Sequence, residues 1–444
     1  MHGSPTSSHL RVFASSNSLQ VTYQLSMASP APSGMATQRP WFFRFPPEMI
    51  SLIVSFLPNK DVKSLRLTCK ALGEITPFSS SRVFLSANSL NIQVFRAVAD
   101  HPKFRQEITE IIWDDARFVS APLIWENVHP TIDPQSIDAQ IPLKACWEYY
   151  LQILNDQTTV IESQDDEKAF LYGLERFPRL KRVTVTPAAH GWLFTPLYET
   201  PMIRAFPYGF NYLIPRGWHF DQTEGQVIEP LLWSEVTEEY KELWRGARIA
   251  LRVLSQVKKH NFSELSFDSK QLHTGINFRI FDQPCEEYNH FAAIIKRPGF
   301  RRLHLSLLTS SSGYWAGFQS GYFHQAVSLA RELTDIYLST TFNLGSLSSL
   351  GDPPIPLKEV LPIKEWPNLC NLALSRFSVD TSELMDILKL LPSSLRSIEL
   401  EFIEFPFDES CLIGLLERMR EELNWAERDQ LKPTVTIAME GHRR

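Results

Sequence analysis

The stretch FRFPPEMISLIVSFLPNKDVKSLRLTCKAL, residues 43–72, carries more apolar surface than a unit of its size can bury within itself. Pro47 stands where a helix would begin, because a proline at the first helical position loses no hydrogen bond, and Glu48 suits the helix dipole there. Apolar residues then recur at helical spacing, with Ile50, Ile53, Val54 and Leu57 on one face and Met49, Leu52 and Phe56 on another. The pattern predicts a helix that is apolar on nearly all sides.

A second helix follows directly. Pro58 ends the first helix, and Asn59 is placed to cap the next one with Asp61 in its first turn. One face of this second helix carries Val62, Leu65, Cys69 and Leu72. Since a unit of about forty residues covers only part of its apolar surface, one face of the first helix must be buried elsewhere. The cover is either the rest of the same chain or a partner protein.

Residues 43 to about 85 resemble an F-box. The resemblance rests on FPPEMI at 45–50, IVSFL at 53–57 and LRLTCK at 65–70, while Leu72 stands where many members have Trp. F-boxes dock onto the Skp adaptor of SCF-type cullin–RING ubiquitin ligases. By this resemblance the adaptor contact involves Pro46, Pro47, Leu52, Ile53, Leu57, Val62 and Leu65.

A different pattern recurs after residue 100. It is six residues long, and its first, fourth and sixth residues are apolar. The seven copies span 108–113, 180–185, 262–267, 300–305, 333–338, 369–374 and 395–400. The last two apolar positions alternate as in a strand with one buried face. Helical stretches precede most copies, among them 286–296, 322–331 and 382–391. Repeated helix–turn–strand units are typical of a parallel-stranded solenoid.

This region resembles leucine-rich repeats in an irregular form. The Asn or Cys that the family carries after each strand is replaced by Ala188, Lys270, Leu308, Thr341, Phe377 and Ile403. Because the asparagine ladder is missing, we expect a looser α/β arc. The predicted fold class is α/β, with a small all-α three-helix F-box at 41–88 and an irregular leucine-rich-repeat-like solenoid at 89–440. Together these features resemble the divergent F-box proteins of filamentous fungi.

Two segments interrupt the repeats. Residues 187–235 are rich in aromatic residues and prolines and form either an aromatic binding surface or a local aromatic core. The core is favoured because large aromatic side chains are usually mostly buried. Residues 339–365 are rich in Ser, Gly and Pro and predict an exposed loop.

Composition limits the classes of partner. The chain has 444 residues and a formal charge of −6, and its Lys and Arg residues are not clustered, which argues against nucleic acid as the main partner. The sequence contains no run of eighteen apolar residues, so it predicts no membrane-spanning helix. The five cysteines lie far apart without metal-ligand spacing, as in a reduced intracellular protein. We therefore expect a cytoplasmic or nuclear location and no membrane partner.

Residues 1–40 are rich in Ser, Thr and Pro and contain no Asp or Glu. This composition favours a disordered tail. A transit peptide is the alternative, but such peptides normally carry more arginine than Arg11 and Arg39 provide. Met27 and Met35 also leave a later start open.

The sequence contains no catalytic motif of the nucleotide-binding, esterase or metalloprotease type. Cys285 lies near His273 and His290 in sequence, but a Cys/His pair must meet in space. The acidic run 165–167 is most simply the start of a helix. We therefore expect no catalytic residue, no cofactor and no metal, and an adaptor that is not an enzyme. An enzyme with its site in 187–235 is the alternative from another class.

The expected mechanism is presentation of a target protein. The F-box would hold the Skp adaptor and through it the cullin, while the arc would hold an unknown target. The positions between the buried strand residues face the open surface of the arc and are the candidate target contacts: Thr184, Ser266, His304, Tyr337, Ala373 and Glu399. They are flanked by Arg182, Arg302, Asp335 and Ser397. A rival within this class binds the Skp adaptor without any ubiquitin-ligase role.

Overall fold

The chain divides into two compact units, Met1–Phe78 and Ser79–Arg444. The structure, a computed structural model, describes residues 45–57, 59–75, 81–119, 141–219, 229–257, 262–309, 315–341, 354–405, 411–423, 425 and 432–438. The tail expected at 1–40 lies outside these residues, as do 220–228 of the aromatic segment and 342–353 of the Ser/Gly/Pro-rich loop. The division falls before the boundary expected at residue 88, because Arg82–Ser86 is already a strand of the second unit.

The first unit contains helices α1 (Pro47–Ser55), α2 (Asn59–Thr68) and α3 (Lys70–Ile75). Pro47 occupies the first helical turn of α1, as the sequence predicts, and Pro46 directly precedes the helix. Ile50, Val54 and Val62 form a small core, with Leu65 packed against it. The inner face of α1 is thus covered by α2 within the unit itself.

The second unit is built on one parallel sheet. Its strands are β1 (Arg82–Ser86), β2 (Glu110–Asp114), β3 (Arg182–Thr186), β4 (Glu264–Phe267), β5 (Ile276–Asn277), β6 (Arg302–Leu308), β7 (Asp335–Thr340), β8 (Asn371–Ser375), β9 (Ser397–Glu401) and β10 (Thr434–Ala438). The order is β1-β2-β3-β4-β6-β7-β8-β9-β10, and β5 pairs with the end of β6. The seven repeated patterns coincide with β2, β3, β4, β6, β7, β8 and β9. Sequence reasoning missed β1, β5 and β10.

The helices of this unit connect successive strands. They are α4 (Ser89–Asp100), α5 (Leu143–Ser163), α6 (Asp165–Leu174), α7 (Pro201–Arg204), α8 (Glu238–Lys241), α9 (Arg245–Gln256), α10 (Glu286–Ile295), α11 (Ala316–Gln319), α12 (Tyr322–Ser328), α13 (Leu357–Val360), α14 (Thr381–Leu390) and α15 (Cys411–Glu422). The three helices expected from the sequence correspond to α10, α12 and α14. Because the strands follow one another in chain order, right-handed crossovers place their connections on the same face of the sheet.

In-register pairing aligns equivalent side chains of neighbouring strands into rows. Arg302 of β6, for example, pairs with Glu264 of β4 and Asp335 of β7. Two rows face the helices and are buried in the main core. The first is Val83, Ile111, Val183, Leu265, Leu303, Ile336, Leu372 and Ile398, and the second is Leu85, Trp113, Val185, Phe267, Leu305, Leu338, Leu374 and Leu400.

A hydroxyl side chain satisfies part of the backbone beyond β6 and β7. The backbone N–H of Thr309 donates to Thr341 Oγ1 at 2.9 Å, and the same hydroxyl donates to the carbonyl of Thr309 at 3.0 Å. The Thr341 side chain thus links the segments that follow β6 and β7.

The aromatic segment contributes a second core. Phe206, Phe210 and Tyr212 pack with Tyr149 and Tyr150 of α5 in a cluster separate from the main core. Other aromatic side chains of the segment lie at the surface, and Trp192 and Tyr208 are the most exposed of those described. The segment therefore supplies both a local aromatic core and exposed aromatic side chains.

One buried carboxylate ties this segment to the sheet. Asp115, directly after β2, accepts hydrogen bonds from Trp218 Nε1 at 3.0 Å and from the backbone N–H groups of Gly246 at 2.8 Å and Ala247 at 3.3 Å. The last two are free N–H groups of the first turn of α9, which the carboxylate caps. A side chain on Gly246 would place its Cβ 2.6 Å from Asp115 Oδ1, so the close approach requires glycine there.

We expect the substitution Asp115→Ala to lower the free energy of unfolding by about 3 kcal/mol, since it leaves several buried donors without an acceptor. Urea denaturation measures this loss. The matched control is Asp165→Ala in the first turn of α6, whose side chain is 45 % exposed and which should cost about 1 kcal/mol or less. Equal losses in the two variants would contradict the proposed role of Asp115.

Candidate functional site

Opposite the helices, the sheet presents a surface that we call the polar face. It consists of two rows of side chains. The outer row is Arg82, Glu110, Arg182, Glu264, Arg302, Asp335, Asn371 and Ser397. The central row is Phe84, Ile112, Thr184, Ser266, His304, Tyr337, Ala373 and Glu399. The central row from β3 to β9 contains the candidate target contacts expected from the sequence, and parallel pairing places them side by side.

The first six side chains of the outer row alternate in charge, and we call these six the charge ladder. Arg82 Nε lies 2.8 Å from Glu110 Oε2, and Arg182 Nη2 lies 2.7 Å from Glu264 Oε2. Arg302 then contacts Glu264 at 3.7 Å and Asp335 at 3.2 Å. Neighbouring strands are about 4.8 Å apart, so like charges in adjacent positions would repel each other. Alternation lets each arginine neutralise a neighbouring carboxylate.

Hydrogen bonds continue the outer row beyond the charges. Asn371 Nδ2 donates to Asp335 Oδ1, and Ser397 Oγ donates to Asn371 Oδ1 at 2.7 Å. The sequence named Arg182, Arg302, Asp335 and Ser397 as flanking positions but missed the other members. Glu110, Glu264 and Asn371 occupy the same place in their copies of the repeated pattern, so comparison of that position across the copies would have found them.

The β1–β3 end of the polar face is closed. Tyr198 of the aromatic segment packs on Phe84 with ring centroids 5.9 Å apart, and its own burial raises the pKa of its hydroxyl. Ile112 and Thr184 in the next strands are buried. The hydroxyl of Thr184 donates to Glu110 Oε1 at 2.8 Å, so this expected target contact is used within the sheet.

The rest of the polar face forms an open groove of about 290 Å³ across β4 and β6–β9. It is lined by both rows of the polar face and includes Ser266, His304, Tyr337, Ala373 and Glu399. Ser266 and Ala373 are largely buried at its floor, His304 and Tyr337 are half-buried, and Glu399 is exposed. These five of the expected target contacts line the groove.

His304 and Tyr337 form a stacked pair in the groove, with ring centroids 4.1 Å apart and an angle of 28° between the planes. Burial lowers the pKa of His304 to about 4, although Asp268 Oδ1 lies 3.7 Å from its Nε2. The imidazole is therefore neutral near pH 7. Tyr337 donates through its hydroxyl to Glu401 Oε2 at 3.1 Å, and burial raises the pKa of Tyr337 to about 12. The pair acts as a neutral aromatic platform.

The first unit presents apolar side chains at its surface. Leu52 is 53 %, Ile53 38 % and Leu57 37 % exposed, which suits the contact role expected for them. Pro46 is also exposed, Leu65 is half-buried, and Pro47 lies in the first turn of α1. Val62 departs from the expectation, since it is buried in the small core and its side chain does not reach the surface. Other large apolar side chains add to this surface: Phe45, Met49, Phe56 and Leu67.

Comparison with known families identifies this unit. The model of the F-box domain matches residues 42–76. Residues 42–76 are an F-box domain. F-box domains bind the Skp adaptor and support an adaptor role in SCF-type ligases in general. The match covers the exposed side chains of the F-box and leaves the second unit outside it, and no curated protein matches the chain.

Cys285 and His290 each contact other groups in the described structure. Cys285 Sγ caps α10 by accepting from the Tyr288 N–H at 3.4 Å, and burial raises the pKa of the thiol to about 11. His290 Nδ1 lies instead 2.8 Å from Ser255 Oγ. A thiol held protonated in this way is a poor nucleophile.

No group of three or more His, Cys, Asp or Glu side chains in the described ranges is arranged to hold a metal ion. Among the helices that the structure describes, none combines the length and apolar character needed to cross a bilayer.

A second cluster of titratable groups lies at the carboxyl ends of β2 and β3. Asp114 Oδ2 is 3.6 Å from His190 Nε2, and His190 Nδ1 is 3.1 Å from the Tyr212 hydroxyl. Burial raises the pKa of Asp114 to about 8 and lowers the pKa of His190 to about 3. The side chains of Asp114 and His190 are at most 1 % exposed. Because both pKa values change on folding, the cluster makes the free energy of unfolding depend on pH.

The sign of that effect follows from proton binding. Folding raises the pKa of Asp114 from 3.8 to about 8, so the folded chain binds more protons in that window and becomes less stable as pH rises through it. Folding lowers the pKa of His190 from 6.5 to about 3, so stability rises with pH in that window. Below about pH 6.5 the contributions of Asp114 and His190 to the free energy of unfolding change with pH in opposite directions. Above about pH 6.5 only the loss of stability from Asp114 remains.

We expect the wild-type chain to lose about 1.5 kcal/mol more stability than Asp114→Asn between about pH 6.5 and pH 8. Urea denaturation at several pH values measures the difference between the two curves, which removes the contribution of other groups. Asp165→Asn, at an exposed position, should follow the wild type. Parallel curves for wild type and Asp114→Asn would show that Asp114 does not titrate in this window.

Proposed function

We propose that this chain is the substrate-recognition adaptor of an SCF-type cullin–RING ubiquitin ligase. The F-box binds the Skp adaptor and through it the cullin, and the groove of the polar face binds a target protein. The observation that carries the proposal is the F-box match at 42–76 together with the exposure of Leu52, Ile53 and Leu57 in the same segment.

The adaptor contact is supported by the separation of core side chains from surface side chains within the F-box. Ile50, Val54 and Val62 are at most 3 % exposed and hold the helices together, which leaves the opposite side of α1 at the surface. Burying a leucine or isoleucine side chain contributes about 1.5–3 kcal/mol relative to leaving it exposed. Leu52, Ile53 and Leu57 remain partly exposed, so a partner that covers them gains part of this energy.

The target contact is supported by the architecture of the second unit. Strands in chain order with connections on one face leave the other face free along the sheet, as in a repeat solenoid. We infer that the second unit is an irregular leucine-rich-repeat-like solenoid and that the chain is an F-box protein of the fungal type. Residues from several repeats meet in one groove, which lets a single site read an extended segment of a target.

Catalysis in this scheme comes from proximity. A target held in the groove meets the ubiquitin-loaded enzyme at raised effective concentration, so the chain needs no reactive group of its own. We propose a cytoplasmic or nuclear location, in keeping with the reduced cysteines at Cys69, Cys146, Cys285 and Cys370.

The first test is binding to the Skp adaptor by the co-expressed full-length chain. We expect Leu52→Asp combined with Ile53→Asp to weaken binding by about a hundredfold, because two charges would be buried in an apolar contact. Both positions are exposed in this chain, so the double variant should fold. Ile413→Asp, at a 72 % exposed site in α15, is the matched control and should bind like the wild type. A folded wild-type chain that does not bind would remove the adaptor proposal.

The ligase role is tested by protein turnover in cells. We expect the half-lives of the same target proteins to lengthen with the F-box double variant, with Tyr337→Ala in the groove and with cullin inhibition, while Ile413→Asp changes none of them. Quantitative pulse-chase proteomics makes this comparison. If Skp binding is intact but no protein shows this shared dependence, the chain is an F-box protein without a ligase role.

A further inference from the structure

The groove contains a slot between β7 and β9, bounded by Tyr337, Ala373 and Glu399. These three side chains belong to one row on consecutive strands. The ring of Tyr337 is covered by His304 on the β6 side. On the β8 side stands Ala373, whose side chain rises only one carbon above the sheet. Two strand spacings, about 10 Å, separate the backbone positions of Tyr337 and Glu399.

The charges around the slot do not balance. Arg302 is paired with Glu264 and Asp335 in the charge ladder, so it is not free to neutralise other carboxylates. Glu399 is exposed, and no other residue that the structure describes forms an ion pair with it. Glu401, two residues along the same strand, receives a hydrogen bond from the neutral Tyr337 hydroxyl. The slot therefore combines an aromatic wall with excess negative charge.

We propose that this slot binds an arginine side chain of the target protein. The inference rests on the proposed function, whose target site it specifies. The planar guanidinium stacks on the Tyr337 ring above Ala373, while its N–H groups donate to the Glu399 carboxylate. Stacking on an aromatic face and two-pronged donation to a carboxylate are the two interactions in which arginine differs most from lysine.

The neighbouring groups fit this assignment. A neutral His304 behind Tyr337 does not repel a cation, whereas a protonated imidazole would. Asn371 and Ser397 line the same groove and offer oxygen atoms to the rest of the target segment. A phosphate or nucleic acid ligand would meet the carboxylates of Glu399 and Glu401 and be repelled.

The test uses fluorescein-labelled peptides of glycine and serine with one central arginine, lysine or citrulline, and fluorescence anisotropy with the full-length chain. Citrulline has the shape of arginine without its charge. We expect the arginine peptide to bind about tenfold more tightly than the citrulline peptide, with lysine between them. The preference should fall as salt is added.

Variants of the slot make the test specific. Glu399→Gln should abolish the preference for arginine over citrulline, and Ala373→Leu should block binding of both peptides by filling the slot. Glu421→Gln, an exposed glutamate of α15, is the matched control and should bind like the wild type. Equal binding of arginine and citrulline peptides, no binding of the arginine peptide up to millimolar concentration, or an unchanged preference in Glu399→Gln would overturn the inference.

The same protein samples are tested for binding to the Skp adaptor. Intact Skp binding without arginine preference would remove the arginine slot and leave the adaptor function standing. Loss of Skp binding by the wild-type chain, with arginine preference intact, would remove the adaptor function and leave the slot as a binding site for a cationic segment.

Discussion

In-register parallel pairing is the constraint on which the second unit depends. It places equivalent residues of each strand about 4.8 Å from the next, so every position of the repeated pattern becomes a row across the sheet. A row of apolar side chains can be buried under the helices, and a row of charges is tolerated only if the signs alternate. Arg182, which lies between Glu110 and Glu264, is an example of such alternation. Its guanidinium contacts the carboxylate of Glu264, 82 residues away in the chain.

The groove follows from the same constraint. The central row changes from Thr184, which is buried and bonded to Glu110, to Glu399, which is exposed. The aromatic segment closes one end of the polar face through Tyr198, and the small side chain of Ala373 leaves space near the other end. A continuous sheet surface thus becomes a bounded site, with stacked aromatic rings beside unpaired carboxylate charge.

Carboxylates in this protein take different roles according to their surroundings. Glu264 is paired with arginines at the surface, and Asp115 is buried but accepts donors from a helix start and an indole. Asp114, next to Asp115 in sequence, has fewer donors, and burial raises its pKa to about 8. Burial raises the pKa of Asp115 as well, and there the donors of Gly246, Trp218 and Ala247 together with Arg117 oppose that shift.

Local patterns determined much of what the structure contains. Pro47, Glu48 and the apolar spacing around Ile50 predict α1, because helix starts and faces depend on residues within one or two turns. The repeated apolar pattern likewise locates seven strands of the sheet, since alternation needs only neighbouring residues. The row on the opposite side of the sheet from the core, including His304, Tyr337 and Glu399, follows from the same alternation.

Only the tertiary structure decided which strands are neighbours and which parts of the polar face remain open. The stacking of His304 on Tyr337 and the bond from Tyr337 to Glu401, 64 residues away, depend on strand order and register. The closure of the face by Tyr198 and the burial of Val62 depend on how separate segments pack together. Such contacts join residues far apart in the chain, and local periodicity carries no information about which distant partner a side chain will meet.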